Sequence, residues 1–254
     1  MKKYVQEATD ENIWTSIKNN TFGRNKDIKD FIDGLELIDE SACISLDAKW
    51  GDGKTFFVRQ IEEVLKYVLA NQRADEENPI EKLPSYEYLK DNEMMAKIDL
   101  KHSYLPIYYN AWMYDNHSDP LMSLLLVMTK TCRGVYDTKI DSEKISKKLV
   151  EALATLPISL GEFKANPFTA IEKLQGKSMD SLSLVQTEEE IRERVKGIFN
   201  DIIVERAQKL VIFIDELDRC RPSFAIEMLE RIKHYFDDER VIFVVSLNKE
   251  QLIH

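Results

Sequence analysis

A chain of 254 residues, 44% hydrophobic and 31% charged, can bury a sizeable core; this excludes the disordered classes and fits one α/β domain carrying insertions. Its formal net charge of -10 argues against a nucleic-acid binder, because phosphate-backbone binding normally needs a basic footprint. The isolated cysteines Cys43, Cys132 and Cys220 form no CxxC pair, the N-terminus lacks a signal peptide's apolar core, and no apolar run approaches the ~20 residues of a membrane helix, so a cytoplasmic chain without a membrane span is expected.

Ala42 to Leu46 reads as a short buried strand. Glycine is scarce in this chain, yet Gly51 and Gly53 follow that strand closely, and Phe57, Ile61, Val64, Leu65 and Val68 then repeat at helical spacing. The order is strand, tight loop, helix. Asn71 to Asp99 is polar, carries Pro79 and Pro84, and reads as a surface insertion of short helices or loop. Leu105 to Ala111 predicts a second strand, and Pro120 opens a helix that runs through Met128. Arg133 to Val185 reads as a long helical insertion interrupted by Glu151, Pro157 and Pro167. Thr187 and Glu190 form a capping box ahead of an amphipathic helix to Ile203, with Ile191, Val195, Ile198, Phe199 and Ile202 on one face.

Leu210 to Ile214 and Val241 to Leu247 are continuous apolar runs, the pattern of central parallel strands covered on both faces. The helix expected between them, Ser223 to Phe236, follows Pro222 and turns Phe224, Met228, Leu229, Ile232 and Phe236 inward. Together these elements predict a three-layer α/β domain with a mostly parallel central sheet and helical insertions at about 71–99 and 133–185.

Ala48-Lys49-Trp50-Gly51-Asp52-Gly53-Lys54-Thr55 matches the phosphate-loop pattern GxxxxGK[ST] except at its first position. Such a loop needs small residues so that backbone amides can curl around phosphates, a lysine to reach the terminal phosphates, and a hydroxyl for magnesium. Lys54 and Thr55 supply the last two, and Phe56 continues the stretch expected to contact the nucleotide. Asp215 and Glu216 directly follow the strand ending at Ile214, a hydrophobic-then-acidic Walker B pattern. A carboxylate at the carboxyl end of a parallel strand stands on the rim where such sheets bind ligands, so Asp215 is the candidate metal ligand and Glu216 the residue that orients the attacking water. Asn248 closes the next strand and either hydrogen-bonds the terminal phosphate or the water, or makes an Asx turn leaving the strand.

Three blocks then resemble the KAP family of P-loop NTPases, which includes phage-exclusion proteins and membrane-associated signalling scaffolds: Trp50 to Thr55, Tyr109 to Tyr114, and Ile214 to Pro222, the last followed by Val241 to Asn248. The resemblance runs from about Thr21 to the end of the chain. It implies ATP and magnesium binding on a RecA-like or AAA-like core, with Lys54 and Thr55 on phosphate and metal, Asp215 on the metal, and Asp218 with Arg219 in the signature. Glu216 stands where many members have aspartate, which moves the site toward the usual catalytic glutamate. Phe22-Gly23-Arg24 is similar to the segment that packs near adenine in related ATPases; a loop ahead of a helix is the alternative reading. Trp112 is expected to be a core-packing aromatic. Many relatives insert membrane helices between the two motifs, and the insertion here is too polar for that. A sheet of this type normally continues beyond Asn248, so a single domain shortened at its C-terminal end is expected. The resulting expectation is magnesium-dependent ATP hydrolysis by a switch or motor in a larger assembly, in anti-phage defence, working as a homo-oligomer or with a protein partner. The alternative is an ATP-dependent scaffold without turnover.

Overall fold

The computed structural model describes residues 7–74, 80–117, 120–134, 193, 196–197, 200, 207–235 and 238–252. The insertion expected over 133–185 and most of the helix expected over 187–203 lie outside the described residues, as does Phe236.

Among the described residues β1 (Ala42–Asp47), β2 (Tyr104–Asn110), β3 (Lys209–Asp215) and β4 (Val241–Leu247) form one parallel sheet in the order β1-β4-β3-β2. Successive side chains of a strand point to opposite faces, so an apolar residue at every position requires a core on both sides. Leu210, Ile212 and Ile214 of β3 enter one apolar cluster, while Val211 and Phe213 enter the other. The same division separates Val241, Phe243 and Val245 of β4 from Ile242 and Val244.

The first cluster is completed by α5 (Pro120–Gly134) and α6 (Pro222–Tyr235), the second by α1 (Asp10–Lys18), α2 (Asn25–Leu35) and α3 (Lys54–Gln72). Thr9 caps α1 by accepting from the Asn12 amide at 3.4 Å, and Asp10 and Glu11 complement the positive helix end. Trp14 ties α1 to α3 by donating through Nε1 to Glu63 at 2.7 Å. Because Phe213 is fully buried in this layer, its truncation to alanine should cost about 3–5 kcal/mol.

Two local expectations change. β1 is not buried on both faces: Ala42, Ile44 and Leu46 pack against the second cluster, whereas Cys43, Ser45 and Asp47 are exposed, because among the described residues the first cluster does not extend over that face of β1. The region Asn71 to Asp99 is not wholly superficial either. Its short helix α4 (Tyr86–Leu89) packs on α1, with Leu89 and Met94 buried, and Asn92 donates through Nδ2 to the Ile17 carbonyl at 2.8 Å.

All the strands run the same way, so the loops that leave β1, β3 and β2 gather at one edge of the sheet, where open α/β sheets bind ligands. With β4 between them, β1 and β3 stand two strand spacings apart, about 10 Å. That gap separates the glycine loop from Asp215.

Candidate functional site

The loop after β1 is built by backbone geometry that its residue types dictate. Ala48 continues the ladder by donating its N–H to the Leu247 carbonyl at 3.3 Å, and it is not among the residues with positive φ. Alanine in place of the pattern's first glycine is therefore accommodated without strain. Gly51 and Gly53 take φ of +90° and +81°, the left-handed region that L side chains avoid. At Gly53 space is also short, since an added Cβ would lie 3.2 Å from the Arg24 guanidinium.

Arg24 explains that crowding. Its guanidinium donates to the Asp52 carbonyl at 2.9 Å and the Gly53 carbonyl at 3.2 Å, bracing the loop from α2's start. Asp52 closes the loop on itself by accepting the Lys49 amide at 3.0 Å. Lys54 opens α3, and its ammonium donates to the Ala48 carbonyl at 2.5 Å and the Lys49 carbonyl at 3.3 Å. Gly53, Lys54 and Thr55 thus stand at the positive end of a 19-residue helix, where unsatisfied amides favour an anion.

Across the gap, Asp215 ends β3 and is 1% exposed. Its Oδ1 accepts the Glu216 amide and its Oδ2 accepts the Tyr108 hydroxyl, each at 3.0 Å. Burial, then the charge of Asp215, pushes the Tyr108 phenol well above its ordinary range, so this hydroxyl stays a donor. Arg59 lies over the Tyr108 ring at 4.7 Å.

Glu216 leaves the strand with φ of +61°, uncommon for a residue with a side chain and costing roughly 1–2 kcal/mol. This turn buries Leu217 completely and leaves the Glu216 carboxylate among polar groups. Asn110 donates through Nδ2 to Oε2 at 3.0 Å, and Arg219 pairs with Oε1 at 2.8 Å. Asp218 reaches back to the glycine loop and accepts from Trp50 Nε1 at 2.5 Å.

These elements enclose a cleft of about 630 Å³. Its lining includes Arg24, Trp50 to Phe56, Asp215 and Glu216, and also Gln60 and Ser16, which sequence reasoning did not single out. Gly23, Ala48, Lys49 and Asn248 are not among its lining residues. Asn248 is buried and accepts the Glu250 amide at 3.2 Å, the Asx-type geometry expected as its alternative. Gly23 adopts a φ of +71° in the turn before α2. Trp112 does not pack in the core: it is 55% exposed, with the Arg219 guanidinium 5.8 Å above its ring, because the short turn after β2 carries it to the surface.

Tyr108 and Asn110 were also missed as site residues. They stand two apart on β2 and therefore share a face, and the pairing Asn110 with Asp215 puts them beside the acidic strand end. That period-two signal was present in the sequence but needed the β2–β3 register to acquire meaning.

Among the described residues, no group of three His, Cys, Asp or Glu side chains could hold a metal ion alone, and no helix is long and apolar enough to cross a membrane. A sequence model of the KAP family P-loop domain matches residues 24–254. The chain is also 25% identical to an uncharacterized protein of Methanocaldococcus jannaschii over a 173-residue alignment that covers 56% of this chain and 89% of that protein. A glycine loop opening a helix, an acidic strand end across one intervening parallel strand, and a family match over nine-tenths of its length together establish that this chain belongs to the KAP P-loop NTPase family.

Proposed function

We propose that this chain binds ATP with magnesium in the cleft and hydrolyses it, as a conformational switch or motor in a larger assembly. The observation that carries the reading is the convergence of the α3 N-terminus, Lys54 and Thr55 with the buried carboxylate of Asp215 on one cleft. In this reading the triphosphate lies on the free amides of the loop, and the Lys54 ammonium moves from the Ala48 and Lys49 carbonyls to phosphate oxygens.

The donor set suits magnesium, which keeps several waters and is held by one or two carboxylates together with substrate phosphates rather than by an all-protein cage. Thr55 and Asp215 are hard oxygen donors of that type, and Tyr108 holds Asp215 in place from behind. Magnesium, when bound, would neutralise charge on the phosphate oxygens during transfer. Glu216 would orient a water for in-line attack on the terminal phosphorus as the bond to the bridging oxygen breaks. Asn248 remains a candidate contact to that phosphate only if it gives up its hold on the Glu250 amide. The family resemblance, and no residue of the cleft, is what points to anti-phage defence and to assembly with further copies or a protein partner.

One observation favours a second reading, an ATP-dependent scaffold without turnover: both carboxylate oxygens of Glu216 are engaged, by Asn110 and Arg219. Titration calorimetry with magnesium and ATP on wild type and Lys54→Ala tests the binding shared by both readings. Saturable binding that Lys54→Ala weakens by about tenfold or more is expected, the loss of a charge-assisted phosphate contact. Equal affinity in the two proteins would remove the cleft from consideration.

A further inference from the structure

Three cations line the cleft among the described residues: Arg24, Lys54 and Arg219. Against them stand Glu7, Asp52, Asp215, Glu216 and Asp218, so the lining is acidic before any phosphate arrives. Arg24 is committed to the Asp52 and Gly53 carbonyls of the loop, and Lys54 is the residue assigned to phosphate. Arg219 is placed differently. The fully buried Leu217 anchors its short turn, and its own amide donates to the Glu216 carbonyl at 3.1 Å, so the backbone is fixed beside the proposed water-orienting residue. The side chain is 44% exposed and pairs through Nη1 with Glu216 Oε1 at 2.8 Å. Water screens an ion pair at that exposure, so exchanging one partner for another costs little. Trp112 attracts the guanidinium from 5.8 Å through its ring face, which uses none of the N–H donors.

We propose that Arg219 exchanges the Glu216 carboxylate for the terminal phosphate of a bound triphosphate, acting within the same chain as a catalytic cation of the hydrolysis. The proposal rests on the cleft being the triphosphate site. A water held by Glu216 and poised for attack lies about 3–3.5 Å from the phosphorus, so a guanidinium already bonded to Glu216 reaches the phosphate oxygens by a shift of a few ångströms. A phosphate offers the planar guanidinium fork two oxygens and more charge than a carboxylate does. In the transfer step the water oxygen bonds to the terminal phosphorus, the bond to the bridging oxygen breaks with its electron pair on the departing diphosphate, and one water proton passes to Glu216. The charge on the phosphate oxygens then faces Arg219, and Glu216, relieved of its ion pair, polarises the water more strongly.

Single-turnover hydrolysis of ATP by the full chain with magnesium separates two roles of Arg219 by sign. A residue that only restrains Glu216 speeds hydrolysis when it is removed, whereas one that reaches the terminal phosphate slows it. Arg219→Ala should slow the single turnover by at least about a hundredfold, with Arg219→Lys in between because it keeps the charge and loses the fork. Titration calorimetry then locates the contact. The β,γ-imido analogue of ATP should bind Arg219→Ala about tenfold more weakly than wild type, while ADP affinity stays within about twofold. A rate that holds or rises, or a loss of affinity shared equally by the analogue and ADP, would overturn the proposal. Should wild type show no turnover, the affinity comparison alone decides, and Arg219→Gln takes the place of the alanine variant if that one does not fold. Analogue binding that Arg219→Ala leaves unchanged defeats only the Arg219 reading, whereas no binding of the analogue to wild type defeats the triphosphate site and the Arg219 reading with it.

Discussion

Asn110 at the end of β2 donates a 3.0 Å hydrogen bond to Glu216 at the end of β3, and Arg219 holds the other carboxylate oxygen at 2.8 Å. Each oxygen keeps a further lone pair for a water, but both contacts draw charge from the carboxylate and hold it in place, so it polarises a water less well than a freer one. Asn110 therefore restrains the group that the proposed hydrolysis needs. In Asn110→Ala the single-turnover rate of ATP hydrolysis should rise by about two- to fivefold, the worth of one modest hydrogen bond, while ATP affinity stays within twofold of wild type. A rate that falls together with affinity would assign Asn110 a structural role instead.

How much of this was readable in advance depends on the type of signal. Lys54, Thr55, Asp215 and Glu216 were legible because glycine loops and acidic strand ends are local patterns, and the apolar runs at Leu210 and Val241 required a core on both faces. Tyr108 and Asn110 were not, because each acquires its role from a partner distant in sequence: Asp215 and Glu216. Trp112 misled for a related reason. An aromatic residue after a strand is core or surface according to the turn that follows, and composition does not fix that turn.

Tyr108 offers a second prediction. Its phenol stays protonated because burial and the neighbouring Asp215 charge raise its pKa, so the hydroxyl serves as a donor to that carboxylate throughout the physiological range. Tyr108→Phe keeps the ring beneath Arg59 but removes the donor. The magnesium concentration for half-maximal hydrolysis should rise by about three- to tenfold, as expected for one lost hydrogen bond to a charged group. An unchanged magnesium dependence would show that Asp215 needs no such support.

Gly53 is constrained twice, by a φ of +81° and by the Arg24 guanidinium 3.2 Å from where a Cβ would sit. Gly53→Ala should lower stability by about 1–3 kcal/mol, combining left-handed backbone strain with displacement of Arg24. Thermal denaturation followed by circular dichroism measures this. Adding Arg24→Ala removes the steric part, so the double variant should lose less than the sum of the two single changes.

The pH dependence of stability has an identifiable contributor before β4. Asp238 accepts from the Arg240 amide and Nε at 2.9 Å and from NH2 at 2.7 Å, and these bonds hold its carboxyl below the ordinary value of 3.8. A depressed carboxylate pKa contributes stability above the unfolded value, and that contribution disappears as pH falls through the folded value. Urea denaturation should thus show Asp238→Asn less stable than wild type at pH 6, with the gap narrowing below about pH 4. A gap that stays constant down to pH 3 would contradict this assignment.

The most direct measurement is single-turnover hydrolysis of ATP with magnesium by wild type and by Glu216→Gln, with nucleotide affinity determined on the same preparations. Removing the water-orienting carboxylate while keeping its shape should slow hydrolysis by roughly two or more orders of magnitude and leave affinity nearly unchanged. Equal hydrolysis rates in the two proteins would contradict the account and leave the cleft a binding site without turnover.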